Sequence, residues 1–177
     1  MSVKRLHWGC GPLTPEGWIN SDLWPAPGVD LACDILEGLP LDEHSIDYAV
    51  SNHALQELDI YDQEVAFAEL HRVLKEGGVL RLCLPDLDRA IDAYRSGDRE
   101  WFIVNEWQTI GGNFVTQVIW HGYNKTPFVF EFAAELAEKV GFRRVERVAF
   151  GETTTTFTEI TELDTREHES FFLEAWK

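Results

Sequence analysis

The chain has 177 residues, 45% of them hydrophobic, which suits one sizeable core and leaves too little for two ordinary domains. Its formal net charge of -16 repels a phosphate backbone, so nucleic acid is excluded as a partner; the one basic cluster, Arg143, Arg144 and Arg147, reads as a solvated turn. No stretch approaches the ~18 uninterrupted apolar residues of a membrane span, and the opening residues carry no signal-peptide pattern, so a cytoplasmic location away from membranes is expected.

Val3 to Trp8 is an apolar run that stops at Gly9-Cys10-Gly11-Pro12, a buried strand feeding a tight turn. Trp18 to Leu23 is a second strand, Ile35 to Leu41 a loop ending in Leu39-Pro40, and Ser45 to Ser51 a further strand with alternating, β-branched content. Glu64 to Lys75 places Val65, Phe67, Ala68, Leu70, Val73 and Leu74 on a helical period, and Gly77-Gly78 is the expected stop. Val79 to Leu84 is a strand ended by Pro85, followed by a polar helix from Leu87 to Arg95. The aromatic-rich stretch from Trp101 to Phe128 has no clear period. Phe130 to Val140 is a strongly amphipathic helix capped by Gly141, and Arg144 to Phe150 a strand. The Thr153 to Thr156 run is β-prone, and Ser170 to Trp176 is the last strand. Strands alternating with helices predict a mostly parallel sheet whose ligands gather at the carboxyl ends of its strands. Cys10, Cys33 and Cys83 lie far apart in or beside apolar runs, as reduced thiols do.

Four segments, Leu6-His7-Trp8-Gly9-Cys10-Gly11, Gly17 to Asp22, Leu39-Pro40 before Ser45 to Val50, and Glu69 to Gly78, occur in an order and spacing that resembles the small class I S-adenosylmethionine-dependent methyltransferases. The resemblance covers almost the whole chain. It implies an α/β, Rossmann-like class I methyltransferase sheet, mostly parallel with the last strand antiparallel, in a single domain over 1–177 with a lid or substrate insertion at about 96–128. It also implies S-adenosylmethionine as cofactor and a small-molecule methyl acceptor. Gly9, Cys10 and Gly11 would then meet the methionine part of the cofactor, Asp22 the two ribose hydroxyls, and Asp34 with Ile35 the adenine, while Ser51 and Asn52 would floor the pocket beside the sulfonium. A nicotinamide dehydrogenase, the rival on this fold, needs Gly-x-Gly-x-x-Gly opening a helix onto a pyrophosphate. Here the third glycine is missing and Pro12 has no N–H to offer.

Parallel neighbours are ordinarily joined by about a dozen residues or more, and too few residues lie between Gly11 and Trp18, or between Leu23 and Leu31, for crossover helices. One sheet face is therefore expected to be bare and to need a cover, either the aromatic stretch folded back as a lid or a second subunit in a homodimer. Methyl transfer to a hydroxyl needs alignment and loss of a proton, for which His121 and His53 are the candidate bases. Asp86 and Arg89 are candidates to orient a polar acceptor, with Trp120 and Tyr123 to stack on it; no metal is expected, although Asp86 and Asp88 with Glu57 or His121 offer carboxylate chemistry. The aromatics would suit a sugar ring or a planar aromatic acceptor, and the resemblance implies O-methylation of a sugar or glycoside hydroxyl. The competing reading is a non-catalytic, cofactor-binding or regulatory subunit.

Overall fold

In a computed structural model, which describes residues 3–177, β1 (Arg5–Trp8), β2 (Ile19–Asp22), β3 (Leu31–Ala32), β4 (Ile46–Asn52), β5 (Leu74–Pro85), β6 (Arg144–Val148) and β7 (Ser170–Trp176) form one seven-stranded sheet. The strand order is β3-β2-β1-β4-β5-β7-β6. Only β7 runs antiparallel, to both β5 and β6, and the remaining pairs are parallel. The helices are α1 (Gln63–Val73), α2 (Leu87–Ser96), α3 (Ile110–Ile119) and α4 (Phe130–Val140).

Successive strand residues point to opposite faces. Leu6, Leu80, Leu82, Leu84 and Leu173 face one way, onto Phe67, Leu70 and Val73 of α1 and Ala133 and Ala137 of α4, all fully or nearly fully buried. The apolar stripes that mark α1 and α4 in the sequence are the surfaces buried here.

The other face carries Tyr48, Val50 and Val79. Among the described residues, the connections over 9–18 and 23–30 contain no helix, as their length dictates. The cover is not the aromatic stretch. It is the β6-to-β7 connection, residues 149–169, which brings Phe157, Ile160 and Leu163 against Trp18, Tyr48, Val50 and Val79. An ionic anchor fixes it: Arg81, fully buried on β5, donates to both Asp164 carboxylate oxygens at 2.7 and 2.5 Å, to Glu174 of β7 at 2.7 Å and to the Glu152 carbonyl at 3.0 Å. Such a group is costly to bury alone and stable only when its donors are matched. The Thr153 to Thr156 run is not a strand. Thr153 Oγ1 and the Thr154 amide donate to Glu174 instead, at 2.6 and 3.2 Å, completing its coordination.

Two further expectations are corrected. Helix α1 ends at Val73, and Gly77-Gly78 lie inside β5 at an irregularity in its pairing with β4, where a side chain on Gly78 would meet the Lys75 carbonyl at 2.8 Å. Arg147 is not a solvated turn residue: it pairs with buried Asp86 at 2.6 Å and lies over the rings of Phe130 and Phe171. The three cysteines are free thiols, and no helix among the described residues is long and apolar enough to cross a membrane.

Candidate active site

The parallel strands β1, β2 and β4 end at the same edge of the sheet, and their exit loops build a crevice there. Gly9 and Gly11 adopt φ of +65° and +53°, a left-handed conformation that glycine adopts without strain. The Gly11 amide donates to Asp22 Oδ2 at 2.7 Å, so the carboxylate ending β2 holds the turn that ends β1. A side chain at Gly9 would strike Ala54 Cβ at 2.3 Å, whereas one at Gly11 would meet nothing within 4 Å. The turn is therefore packed on one side and open on the other. Ser51, at the β4 exit, is 1% exposed and its Oγ has no partner; it lies 3.9 Å from where a Gly9 Cβ would be.

The remaining residues singled out for the cofactor are more engaged. Asp34 caps the short 3-10 turn Ile35–Glu37, accepting from the Leu36 amide at 2.9 Å, and Ile35 is buried in the core. Asn52 donates to the Leu163 carbonyl at 2.6 Å, while its Oδ1 is buried without a partner. Cys10 is buried, and burial pushes its thiol up to about 11. Together these groups offer a phosphate-free nucleoside an open backbone turn, a carboxylate with lone pairs to spare, and an unanswered hydroxyl.

Ala54 links this crevice to a second site. The segment it belongs to walls a cavity of about 80 Å3 at the ends of β4 and β5, with His53, Gln56, Glu57 and Asp86 on one side. Residues 101–128, whose structure the sequence left open, roof it: α3 supplies Gln117 and Val118, and Trp101, Trp120, Asn124 and Phe128 flank them. Gln117 Oε1 accepts from the Ile103 and Val104 amides at 2.8 and 3.3 Å, and the Gln56 carbonyl accepts from the Lys125 and Thr126 amides at 2.8 and 3.0 Å. The roof is thereby stitched to itself and to the floor. Arg166 and Glu169, from the start of the β7 hairpin, close the wall as an ion pair of 3.0 Å. His53, Trp120 and Arg166 hold positive φ of 50°, 42° and 57°. Three non-glycine residues in that region around one cavity amount to local strain of the kind found at functional sites.

His53 lines the cavity with Nε2 2.8 Å from Ser170 Oγ, and burial, with the Arg166 charge, lowers its pKa to about 3. His121 stands outside the lining, its ring 42% exposed and 3.7 Å from Glu106. Asp86 faces the cavity but is committed, capping α2 through the Arg89 amide and pairing with Arg147. Arg89 donates to the Glu167 and Ser170 carbonyls, Trp120 lines the cavity, and Tyr123 is 66% exposed away from it. Among the described residues no three His, Cys, Asp or Glu side chains converge as a metal would require. Gln56, Arg166 and Glu169 escaped the sequence reading. Gln56 had a signal, a polar residue three positions after a strand-end histidine; the other two reach the site from more than a hundred positions beyond His53.

Residues 19–82 match the methyltransferase domain family. No curated protein matches the chain. Among solved structures, it is similar to an S-adenosylmethionine-dependent methyltransferase of Thermotoga maritima (19% identity, TM-score 0.60, covering 100% of this chain and 83% of that one). A second, from Archaeoglobus fulgidus, gives 14% identity and a TM-score of 0.63 over 99% and 87% of the two chains. A third, Haemonchus contortus phosphoethanolamine N-methyltransferase 2 in complex with S-adenosyl-L-methionine, gives 14% identity and 0.58 over 100% and 49%. With this strand order, and the domain match across β2 to β5, the chain has the Rossmann-like fold of the class I methyltransferases, with a glycine turn tied to the carboxylate that ends β2.

Proposed function

We propose that the chain methylates a hydroxyl of a small molecule, a saccharide or glycoside being the favoured class, with the cofactor in the crevice and the acceptor in the roofed cavity. In this reading the Gly9–Gly11 turn and Ser51 hold the methionine portion, Asp22 the ribose, and Asp34 with Ile35 the adenine. Bound there, S-adenosylmethionine supplies an electrophilic methyl group on a cationic sulfur. The protein's share is to align the acceptor and exclude water.

The observation that carries the reading is the continuity of two sites through one short segment: Ala54 packs on the Gly9 turn while His53, Gln56 and Glu57 wall the cavity. A volume of about 80 Å3 is small beside the ~300–1,000 Å3 of drug-sized sites, so the cavity takes one ring or one polar group of the acceptor. The aromatic side chains of Trp101, Trp120 and Phe128 in its lining suit a ring.

Calorimetry with S-adenosylhomocysteine tests the cofactor half. Asp22→Ala is expected to weaken binding by about 1–3 kcal/mol, two hydrogen bonds at ~0.5–1.5 kcal/mol each. Unchanged affinity would take Asp22 out of the site, and binding of NAD in place of S-adenosylhomocysteine would overturn the assignment.

A further inference from the structure

Helix α3 is built inside out. A helix on a protein surface ordinarily turns its apolar stripe inward and its polar residues to water. Here the inward side carries Asn113 and Gln117, one turn apart and both buried. Each is satisfied: Asn113 Oδ1 accepts from the Trp107 amide at 2.9 Å and its Nδ2 donates to Asn105 at 3.2 Å, while Gln117 Oε1 holds the Ile103 and Val104 amides. Gly112, Val115, Thr116 and Ile119 form the opposite stripe at helical spacing. On it Val115 and Ile119 are 53% and 42% exposed.

Trp107 lies along the same stripe and is 53% exposed. Its Nε1 donates to Thr116 Oγ1 at 2.7 Å, and its side chain sits so close to Gly112 that a Cβ on that glycine would come within 2.6 Å of the tryptophan Cβ. An exposed aromatic fixed in this way loses little freedom when a partner meets it, which is the character of an interface anchor.

Charge decides which partner such a stripe fits. Charged residues make up 26% of the chain, yet residues 107–124 contain no Asp, Glu, Lys or Arg. Arg99, which reaches this segment, spends its guanidinium on the Trp107 and Gln108 carbonyls and on Asn105. A basic partner drawn to a net charge of -16 would find no carboxylate on the stripe. A bilayer surface is met by helices whose polar face carries Lys and Arg, whereas the polar face of α3 is uncharged and buried. Two copies of this chain repel one another wherever their carboxylates approach, and here neutral surface meets neutral surface.

We infer that the outer stripe of α3, with Trp107 as its anchor, is the contact through which two copies of this chain pair about a two-fold axis, each presenting the same patch. The inner side of the same helix supplies Gln117 and Val118 to the cavity roof, so the partner's helix backs that roof from outside.

Sedimentation velocity on the full chain tests this. Specific interfaces of ordinary size associate at micromolar concentration or tighter, so the wild type is expected to be a dimer at about 100 μM. In a two-fold contact each substitution enters twice. Val115→Asp and Ile119→Asp, at exposed positions, are each expected to raise the dissociation constant about tenfold or more through like-charge contact. Val65→Asp, at a comparable apolar site on α1 that is 47% exposed, should leave it nearly unchanged. If one α3 variant fails to fold, the other decides. A wild type that stays monomeric, a dimer that withstands a folded α3 variant, or one that Val65→Asp disrupts as strongly overturns the inference, and so does a monomer that floats with phosphatidylcholine vesicles. None of these results involves the cofactor or the acceptor, so each leaves the proposed chemistry standing.

Discussion

Gly9 and Gly11 share a turn and the sign of φ, yet their surroundings differ, and that difference is measurable. Alanine at either position carries the left-handed penalty of about 1–2 kcal/mol. At Gly9 it also drives a methyl to within 2.3 Å of the Ala54 Cβ, adding about 1–3 kcal/mol of overpacking. Gly9→Ala should therefore destabilise by about 2–5 kcal/mol and Gly11→Ala by about 1–2 kcal/mol in urea denaturation. Adding Ala54→Gly should recover the overpacking share in the first case and nothing in the second; a double variant no more stable than Gly9→Ala would mean the two loops do not touch. The turn and the strand-end carboxylate were legible because each is written in consecutive residues with a local chemical reason. The cavity was less so. Asp86 and Arg89 looked available to an acceptor because nothing local reveals that Arg147, 61 positions from Asp86, claims the carboxylate, or that Arg89 is held by the chain just before β7 and its first residue.

The connection between β6 and β7 does for this fold what the crossover helices would otherwise do. It has few backbone ladders of its own, so its position depends on apolar anchors and on the Arg81 network. Ile160→Ala is expected to cost about 2–5 kcal/mol as a fully buried truncation. Asp164→Ala, which strips Arg81 of its bidentate partner, should cost about 3–5 kcal/mol. Glu162→Ala, with a side chain 56% exposed, should stay within about 0.5 kcal/mol. Chemical denaturation ranks the three, and an Ile160→Ala effect as small as that of Glu162→Ala would show that the segment does not cover the sheet. The sequence did reveal the bare face, since crossover length is countable. It did not reveal the cover, because Phe157, Ile160 and Leu163 follow no strand period: Ile160 sits in the 3-10 turn Thr158–Thr161, and the other two flank it among polar residues. By contrast, Phe130–Val140 and Ser170–Trp176 fall where the pattern put them, one carrying a helical stripe and a glycine cap, the other an uninterrupted buried run. The Gly77-Gly78 pair misled for a physical reason: it looks like a helix stop and serves a strand irregularity.

At the scale of the whole molecule, stability should depend on pH through buried histidines against a background of excess negative charge. His7, 1% exposed, is pushed down to about 4, chiefly by burial, and His53 to about 3. In the unfolded chain both return to about 6.5. Above that value neither state binds the protons and the histidines contribute no pH dependence. As pH falls below about 6.5 the unfolded chain takes them up and the folded protein does not, so stability is lost progressively until the folded pKa is reached. The lowered carboxyls of Asp47 and Glu69 act in the same direction at lower pH, Glu57 acts in the opposite one, and relief of self-repulsion in a chain of charge -16 opposes the loss as well. The raw melting curve therefore mixes several groups, but the difference between wild type and His7→Leu isolates one. Between pH 6.5 and 4 that difference should shift in favour of the variant by up to about 1.4 kcal/mol per pH unit, and above pH 7 it should be flat. Denaturation at matched ionic strength across pH 4 to 8 measures it. A difference that stays flat throughout would mean that His7 accepts its proton inside the folded protein, and that the sheet face beneath Trp18 is open to water.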